Sequence, residues 1–84
     1  MNNTLIQFTL LVPVNSRLRE FNFRKRSEER YDCNTADERG ERYYFQLIRN
    51  NDQWVIEDAQ LPAWLIGHKD AIARALAERE ARGI

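Results

Sequence analysis

Apolar and polar residues alternate along the first part of the chain, which is the pattern of β-strands with one buried face. In TLIQFTLLVPV, residues 4–14, one face of such a strand collects the apolar side chains Ile6, Phe8, Leu10 and Val12. Pro13 has no N–H to donate, so it ends this strand or places it at the edge of a sheet. A turn at NSR then leads into LREFNFRKR, a second strand with Phe21 and Phe23 on one face.

Three further strands are predicted after this pair. The segment ERYDC, residues 29–33, alternates in the same way, although the pattern leaves open whether this strand forms. The polar run NTADERG, residues 34–40, is predicted to be a loop. Residues 41–49 place Tyr43, Phe45 and Leu47 on one face and Tyr44 and Ile48 on the other. A polar break at residues 50–53 separates this strand from a short last one at residues 54–56.

The periodicity then changes to that of a helix. Apolar or aromatic positions recur at helical spacing at Leu61, Leu65, His68, Ile72 and Leu76. Pro62 suits the first turn of a helix, because its missing N–H has no partner there in any case. Gly67 weakens a continuous helix by about 1 kcal/mol relative to Ala. The helix therefore begins either at Pro62 or near His68, after a separate turn at PAWLI.

The predicted fold class is α+β: an antiparallel β-meander of four to five strands with one C-terminal helix packed on one face, forming a single small domain over residues 1–84. The side chains expected to form the core beneath the helix are Phe8, Leu10, Phe21, Phe23, Tyr43, Phe45, Leu47, Trp54 and Ile56. One helix covers only one face of a sheet. A second apolar set is therefore left without a cover, namely Leu5, Leu11, Tyr44, Ile48 and Val55.

Charge and cysteine content bear on the cellular compartment of the protein and on its attraction to nucleic acid and membranes. The chain has 13 basic and 13 acidic side chains, so it has no overall field to attract nucleic acid or an anionic membrane. The single cysteine, Cys33, allows no disulfide framework, which fits a reducing compartment and predicts a cytoplasmic protein. The apolar opening segment is too short to span a membrane and lacks the features of a signal peptide. No membrane association is predicted.

Candidate catalytic and metal-binding residues are few. His68 is the only histidine and lies in the apolar stripe of the helix, where a packed structural role is expected. Cys33 is expected to be a buried small hydrophobe, because Asp32 beside it opposes a reactive thiolate. No spacing of His, Cys, Asp or Glu matches a zinc or calcium site. The sequence therefore predicts no enzyme, no metal and no cofactor.

The first functional hypothesis is a small interaction module that forms a homodimer or binds another protein. A chain of 84 residues buries a modest share of its surface, so association through the uncovered sheet face or through an edge strand would hide more apolar area. The residues predicted to form the partner face are Leu11, Tyr44, Ile48 and Val55.

The alternative hypothesis is binding of single-stranded nucleic acid across the sheet. Arginines that meet phosphates and aromatic rings that stack on bases are the usual combination in such proteins. The predicted contacts are Arg24, Arg26, Arg30, Arg42 and Tyr44. The segment RYYF at residues 42–45, followed by a polar turn, a strand and a helix, resembles the Pur repeat, and the order of elements resembles Whirly-type proteins. That resemblance implies single-strand binding on a sheet face.

Overall fold

A computed structural model of the chain describes residues 6–57 and 60–83. Its strands and helices are β1 (Gln7–Val14), β2 (Arg17–Ser27), β3 (Arg30–Ala36), β4 (Arg42–Asn50), β5 (Gln53–Ile56), α1 (Ala63–Ile66) and α2 (Lys69–Ala81). The five strands form one sheet in the order β1-β2-β3-β4-β5, with every neighbouring pair antiparallel. The predicted α+β meander with a C-terminal helix on one face is confirmed.

Two of the hairpins close through two-residue turns with positive φ at both positions. These are Asn15–Ser16, with φ of 52° and 69°, and Asn51–Asp52, with φ of 54° and 66°. Positive φ at both central residues defines the type I′ turn, whose twist matches that of the flanking strands. Asparagine adopts this left-handed conformation more readily than most residues. The polar breaks in the sequence therefore fix tight connections between β1 and β2 and between β4 and β5.

The third strand forms and is longer than the alternation indicated. Residues 34–36, predicted to be part of a loop, continue β3 as far as Ala36, and the loop prediction is wrong for them. Thr35 is buried, and its hydroxyl donates a hydrogen bond of 2.8 Å to the backbone oxygen of Glu20 in β2. Asn34, Thr35 and Ala36 are small or polar, so they gave no apolar signal. Asn34 pairs with both β2 and β4, whereas Thr35 and Ala36 pair with β4, and their strand conformation depends on this pairing.

The C-terminal region contains two helices, α1 and α2, that are separated at Gly67 and His68. Of the two alternatives that the sequence allowed, the structure agrees with the separate turn at PAWLI followed by a helix that begins near His68. His68 occupies the N-cap position of α2 and is half-buried, and its Nδ1 lies 2.7 Å from the backbone oxygen of Trp64. Neither helix in the described ranges is long and apolar enough to cross a membrane.

The core lies between the helices and one face of the sheet. Its fully or nearly fully buried apolar side chains are Val12, Val14, Phe21, Phe23, Tyr31, Cys33, Phe45, Leu47, Trp54, Ile56, Leu61, Leu65, Ile72 and Leu76. Phe8, Leu10 and Tyr43 are partly buried against this cluster. The face predicted to lie beneath the helix is therefore confirmed. Leu5, which was assigned to the other face, lies outside the described residues.

Candidate functional site: the open sheet face and the β1 edge

The sheet face opposite the helices, called here the open face, carries every residue that the nucleic-acid hypothesis named. Arg24 and Arg26 in β2, Arg30 in β3, and Arg42 and Tyr44 in β4 are all exposed, on the face opposite the buried side chains of Phe23, Tyr31 and Phe45. Tyr44 is 69% exposed. Strand periodicity was sufficient to group these side chains, because residues two apart share a face.

A network of side-chain hydrogen bonds crosses the middle of the open face. Thr9, Asn22, Asn34 and Tyr44 are successive cross-strand neighbours from β1 to β4. The Thr9 hydroxyl donates to Oδ1 of Asn22 at 2.7 Å, and Nδ2 of Asn22 donates to Oδ1 of Asn34 at 3.0 Å. Arg42 donates a third bond, of 2.7 Å, to that same Asn34 oxygen. The centre of the face is therefore polar.

The four residues of the predicted partner face all lie on the open face, but they do not form one patch. Tyr44 and Ile48 lie in β4, and Val55 is the direct cross-strand neighbour of Ile48 in β5. Leu11 lies on the same face but in β1, at the opposite edge of the sheet, and is 57% exposed. Sequence periodicity could group these residues but could not show that polar side chains of β2 and β3 separate them.

The open face carries carboxylates near Tyr44 in addition to its arginines. Asp32 and Glu57 line a shallow depression of about 410 Å³ together with Tyr44 and Gln46. Asp32 accepts a hydrogen bond of 3.0 Å from Gln46 and pairs with Nε of Arg26 at 3.5 Å. Two of the four arginines on this face, Arg26 and Arg42, are therefore engaged by groups of the same face.

The edge of the sheet at β1 is a second candidate surface. The backbone N–H of Lys25 donates to the oxygen of Ile6 at 2.9 Å, which fixes the alternation of hydrogen-bonded pairs between β1 and β2. In this register the even-numbered residues of β1 hydrogen-bond with β2. The odd-numbered residues, Gln7, Thr9, Leu11 and Pro13, direct their backbone groups away from the sheet.

The β1 edge has little of the protection that sheet edges usually carry. Natural proteins block edges with charged side chains, short strands, bulges or proline. No residue of β1, QFTLLVPV, is charged, although 31% of the whole chain is. Pro13 removes one donor near the end of the strand, in agreement with the predicted edge position. The opposite edge, β5, has only four residues.

A cleft of about 510 Å³ opens at the end of the sheet near α1, and two of its arginines pair with the same carboxylate. Arg17 and Arg19 both contact Glu38, at 3.4 and 3.1 Å. The guanidinium of Arg19 also lies over the ring of Trp64, 5.4 Å from its centroid. This arginine–aromatic contact was missed at the sequence level, because residues 19 and 64 show no periodic relation. Arg19 of β2 therefore contacts both Glu38 and Trp64, and the contact with Trp64 attaches α1 to β2.

The titratable groups with perturbed pKa values are explained by burial and structural hydrogen bonds. Burial raises the pKa of the Cys33 thiol, which is 1% exposed, as expected for a cysteine that acts as a small hydrophobe. Burial, together with a hydrogen bond to Glu80, raises the pKa of Tyr31 above its usual range. Hydrogen bonds from the backbone N–H groups of Glu41 and Arg39 lower the pKa of Asp37. Within residues 6–57 and 60–83, no three His, Cys, Asp or Glu side chains are placed to share a metal ion.

Comparison of the chain with family models, with curated proteins and with solved structures found no match. The open face and the β1 edge are therefore the two surfaces whose geometry indicates a function.

Proposed function

We propose that the protein is a non-enzymatic interaction module that associates with its own copies through the β1 edge. The observation that carries the proposal is the eight-residue, uncharged edge strand whose residues Gln7, Thr9 and Leu11 turn their backbone groups outward. Such an edge pairs readily with another strand, because each N–H and C=O that finds a partner replaces a bond to water with one inside a sheet.

The edge supports the proposal better than the open face does. Tight association through a face requires a contiguous apolar centre, whereas the centre of this face is occupied by the hydrogen-bonded side chains of Asn22, Asn34 and Arg42. Pairing at β1 leaves those bonds in place and uses backbone groups that no neighbouring strand in the described ranges occupies.

The test measures mass against concentration by sedimentation equilibrium. The wild-type chain should approach twice its monomer mass of 10.0 kDa at tens of micromolar. Thr9→Pro should return it to the monomer, because proline removes an outward donor from the centre of the edge. Pro13 shows that β1 accepts proline at an odd-numbered position, so the fold should survive the change.

A matched control and a competing variant make the result decisive. Thr9→Val keeps the backbone donor and the branched shape, so it should remain a dimer. Val55→Lys places a charge on the open face beside Ile48 and should also remain a dimer if the edge is used. A dimer that survives Thr9→Pro but dissociates on Val55→Lys would move the interface to the open face. A wild-type monomer at high micromolar concentration would contradict the proposal altogether.

A second candidate function is supported by the grouping of Arg24, Arg26, Arg30, Arg42 and Tyr44 on one exposed face. We propose that this face binds single-stranded nucleic acid, with the arginines meeting phosphates and Tyr44 stacking on a base. The carboxylates of Asp32 and Glu57 beside Tyr44 oppose phosphate there, which makes this the weaker candidate.

Fluorescence anisotropy of a labelled single-stranded oligonucleotide tests this second function. Four phosphate contacts predict that affinity falls about fifty-fold between about 50 and 200 mM salt. Replacing Arg42 and Tyr44 together with Ala should weaken binding at low salt. Arg17→Ala is the control, because Arg17 is exposed and pairs with Glu38 at the cleft. Absent or salt-insensitive binding would end this hypothesis.

A further inference from the structure

The register of β1 against β2 leaves the backbone groups of the odd-numbered β1 residues facing outward. We infer that the strand that pairs with them is β1 of a second copy. The two strands are antiparallel and centred on Thr9, so that Thr9 of one copy faces Thr9 of the other across a two-fold axis. The inference rests on the proposed function and adds the identity and the register of the partner strand. Three features of β1 favour this pairing: the direction of its backbone groups, the position of its proline, and the exposure of its side chains.

The number of backbone hydrogen bonds between two antiparallel β1 strands is equally high in two symmetric registers. With Thr9 at the centre, Gln7 of one copy pairs with Leu11 of the other, and all three residues exchange both their N–H and C=O groups. With the centre moved to Leu10, Thr9 faces Leu11 and Gln7 faces Pro13. Both arrangements form six hydrogen bonds between the copies. A centre at Phe8 or Leu11 forms fewer, because the strand ends or Pro13 then opposes a central residue.

Pro13 distinguishes the two registers. When Leu10 is at the centre, each Gln7 carbonyl meets the nitrogen of a proline, which has no hydrogen to give. Two carbonyl groups of the new ladder would then lack a donor, one in each copy. When Thr9 is at the centre, Pro13 lies beyond the three paired residues. Pro13 then ends the ladder without interrupting it.

The side chains on the helix side of β1 favour the same register. Val12 and Val14 are already covered within their own chain, at 1% and 2% exposure, whereas Phe8 and Leu10 are only partly buried. The Thr9-centred register places Phe8 of each copy opposite Leu10 of the other, at a separation where cross-strand side chains contact. The Leu10-centred register instead places Phe8 opposite Val12, which has almost no exposed surface left to bury.

Cysteine cross-linking tests the register directly. In the Thr9-centred ladder the two Thr9 Cα atoms are about 5.5 Å apart, which lies within the range that a disulfide spans. Thr9→Cys should therefore form a disulfide-linked dimer with oxidised glutathione, with most of the protein at twice the 10.0 kDa monomer mass on a non-reducing gel. Gln7→Cys and Leu11→Cys should not cross-link singly, but should do so when the two variants are mixed. The wild-type chain is the control, because its only thiol, Cys33, is buried.

Each other outcome has its own meaning. If a mixture of Thr9→Cys and Leu11→Cys cross-links while Thr9→Cys alone does not, the register is centred on Leu10 and the inference is wrong. Cross-linking of Leu11→Cys alone would move the centre to Leu11 and would also overturn it. If the wild type sediments as a dimer and none of these variants cross-links, the edge is not the interface. A monomeric wild type would instead remove the proposed function itself.

Discussion

Replacing Glu80 with alanine should destabilise the fold, although the side chain of Glu80 is only half-buried. Glu80 lies near the end of α2, and its two oxygens bind two different strands. Oε2 accepts a hydrogen bond of 2.8 Å from the hydroxyl of Tyr31 in β3, and Oε1 pairs with Arg49 of β4 at 2.9 Å. The Arg49 guanidinium also lies over the Trp54 ring, 5.1 Å from its centroid. One carboxylate thus ties the last helix to the middle of the sheet.

The expected loss follows from the exposure of the two partners. Tyr31 is completely buried, so without Glu80 its hydroxyl becomes a buried donor with no acceptor, which costs about 1–3 kcal/mol. Arg49 is 37% exposed and can be hydrated in the variant, so loss of its ion pair adds less than about 1 kcal/mol. The two losses together come to about 1–4 kcal/mol, with about 2 kcal/mol near the middle of that range. The whole domain is worth only about 4–13 kcal/mol at typical values per residue.

Urea and thermal unfolding followed by circular dichroism measure this loss. A decrease of about 2 kcal/mol should lower Tm by about 8–16 °C in a domain of this size. Glu78→Ala, an exposed carboxylate of the same helix, is the matched control and should stay within about 0.5 kcal/mol of the wild type.

A double-mutant cycle isolates the buried hydrogen bond. When Tyr31→Phe is already present, Glu80→Ala should cost about 1 kcal/mol less than it does alone, since no hydroxyl is then left without an acceptor. Strictly additive effects, or a Glu80→Ala variant as stable as the wild type, would refute the assignment of Glu80 as the acceptor that holds α2 on the sheet.

Three shorter predictions concern other parts of the structure. Because the pKa of Tyr31 is raised, the folded chain keeps a proton that the unfolded chain releases above about pH 10. The free energy of unfolding should therefore fall above that pH. The fall should be less steep in Tyr31→Phe, which has no such proton. Ser16 has a φ of 69°, a left-handed conformation that glycine adopts more readily than serine. Ser16→Gly should therefore raise the free energy of unfolding by about 0.5 kcal/mol, which is measured as a higher urea midpoint. The buried thiol of Cys33 should react with a disulfide reagent only after unfolding, and a native reaction rate close to that of a free thiol would contradict its burial.

The fold was predictable wherever one face of a strand carries large apolar side chains. Phe21 and Phe23 mark the buried face of β2, and Phe45 and Leu47 mark that of β4. The end of β3 was not predictable, because Thr35 is buried by its bond to the Glu20 backbone and not by an apolar side chain. Asn34 and Ala36, on either side of Thr35, are residue types that are depleted in strands, so the segment as a whole gave no strand signal.

The candidate site was predictable in part for the same reason. Alternation placed Arg24 and Tyr44 on one face without any knowledge of which strands are neighbours. The bond between Asn22 and Asn34 that divides this face depends on the register of β2 against β3, which includes an irregularity between Lys25 and Ser27. Contacts between distant residues, such as Tyr31 with Glu80, depend on how the helix docks and leave no periodic signal.

The two proposed functions differ in what they require of the open face. An interface on that face would cover Arg42 and Tyr44 and exclude nucleic acid, whereas edge pairing leaves them exposed. A two-fold axis through paired β1 strands runs perpendicular to the sheet, so both open faces would lie on the same side of one ten-stranded sheet, about 43 Å across at 4.8 Å per strand. If the dimer binds a single strand, Thr9→Pro should reduce both the affinity and its dependence on salt, since each monomer then offers half the arginines. Unchanged binding by the Thr9→Pro monomer would show instead that one open face is the complete site and that pairing at β1 serves another purpose.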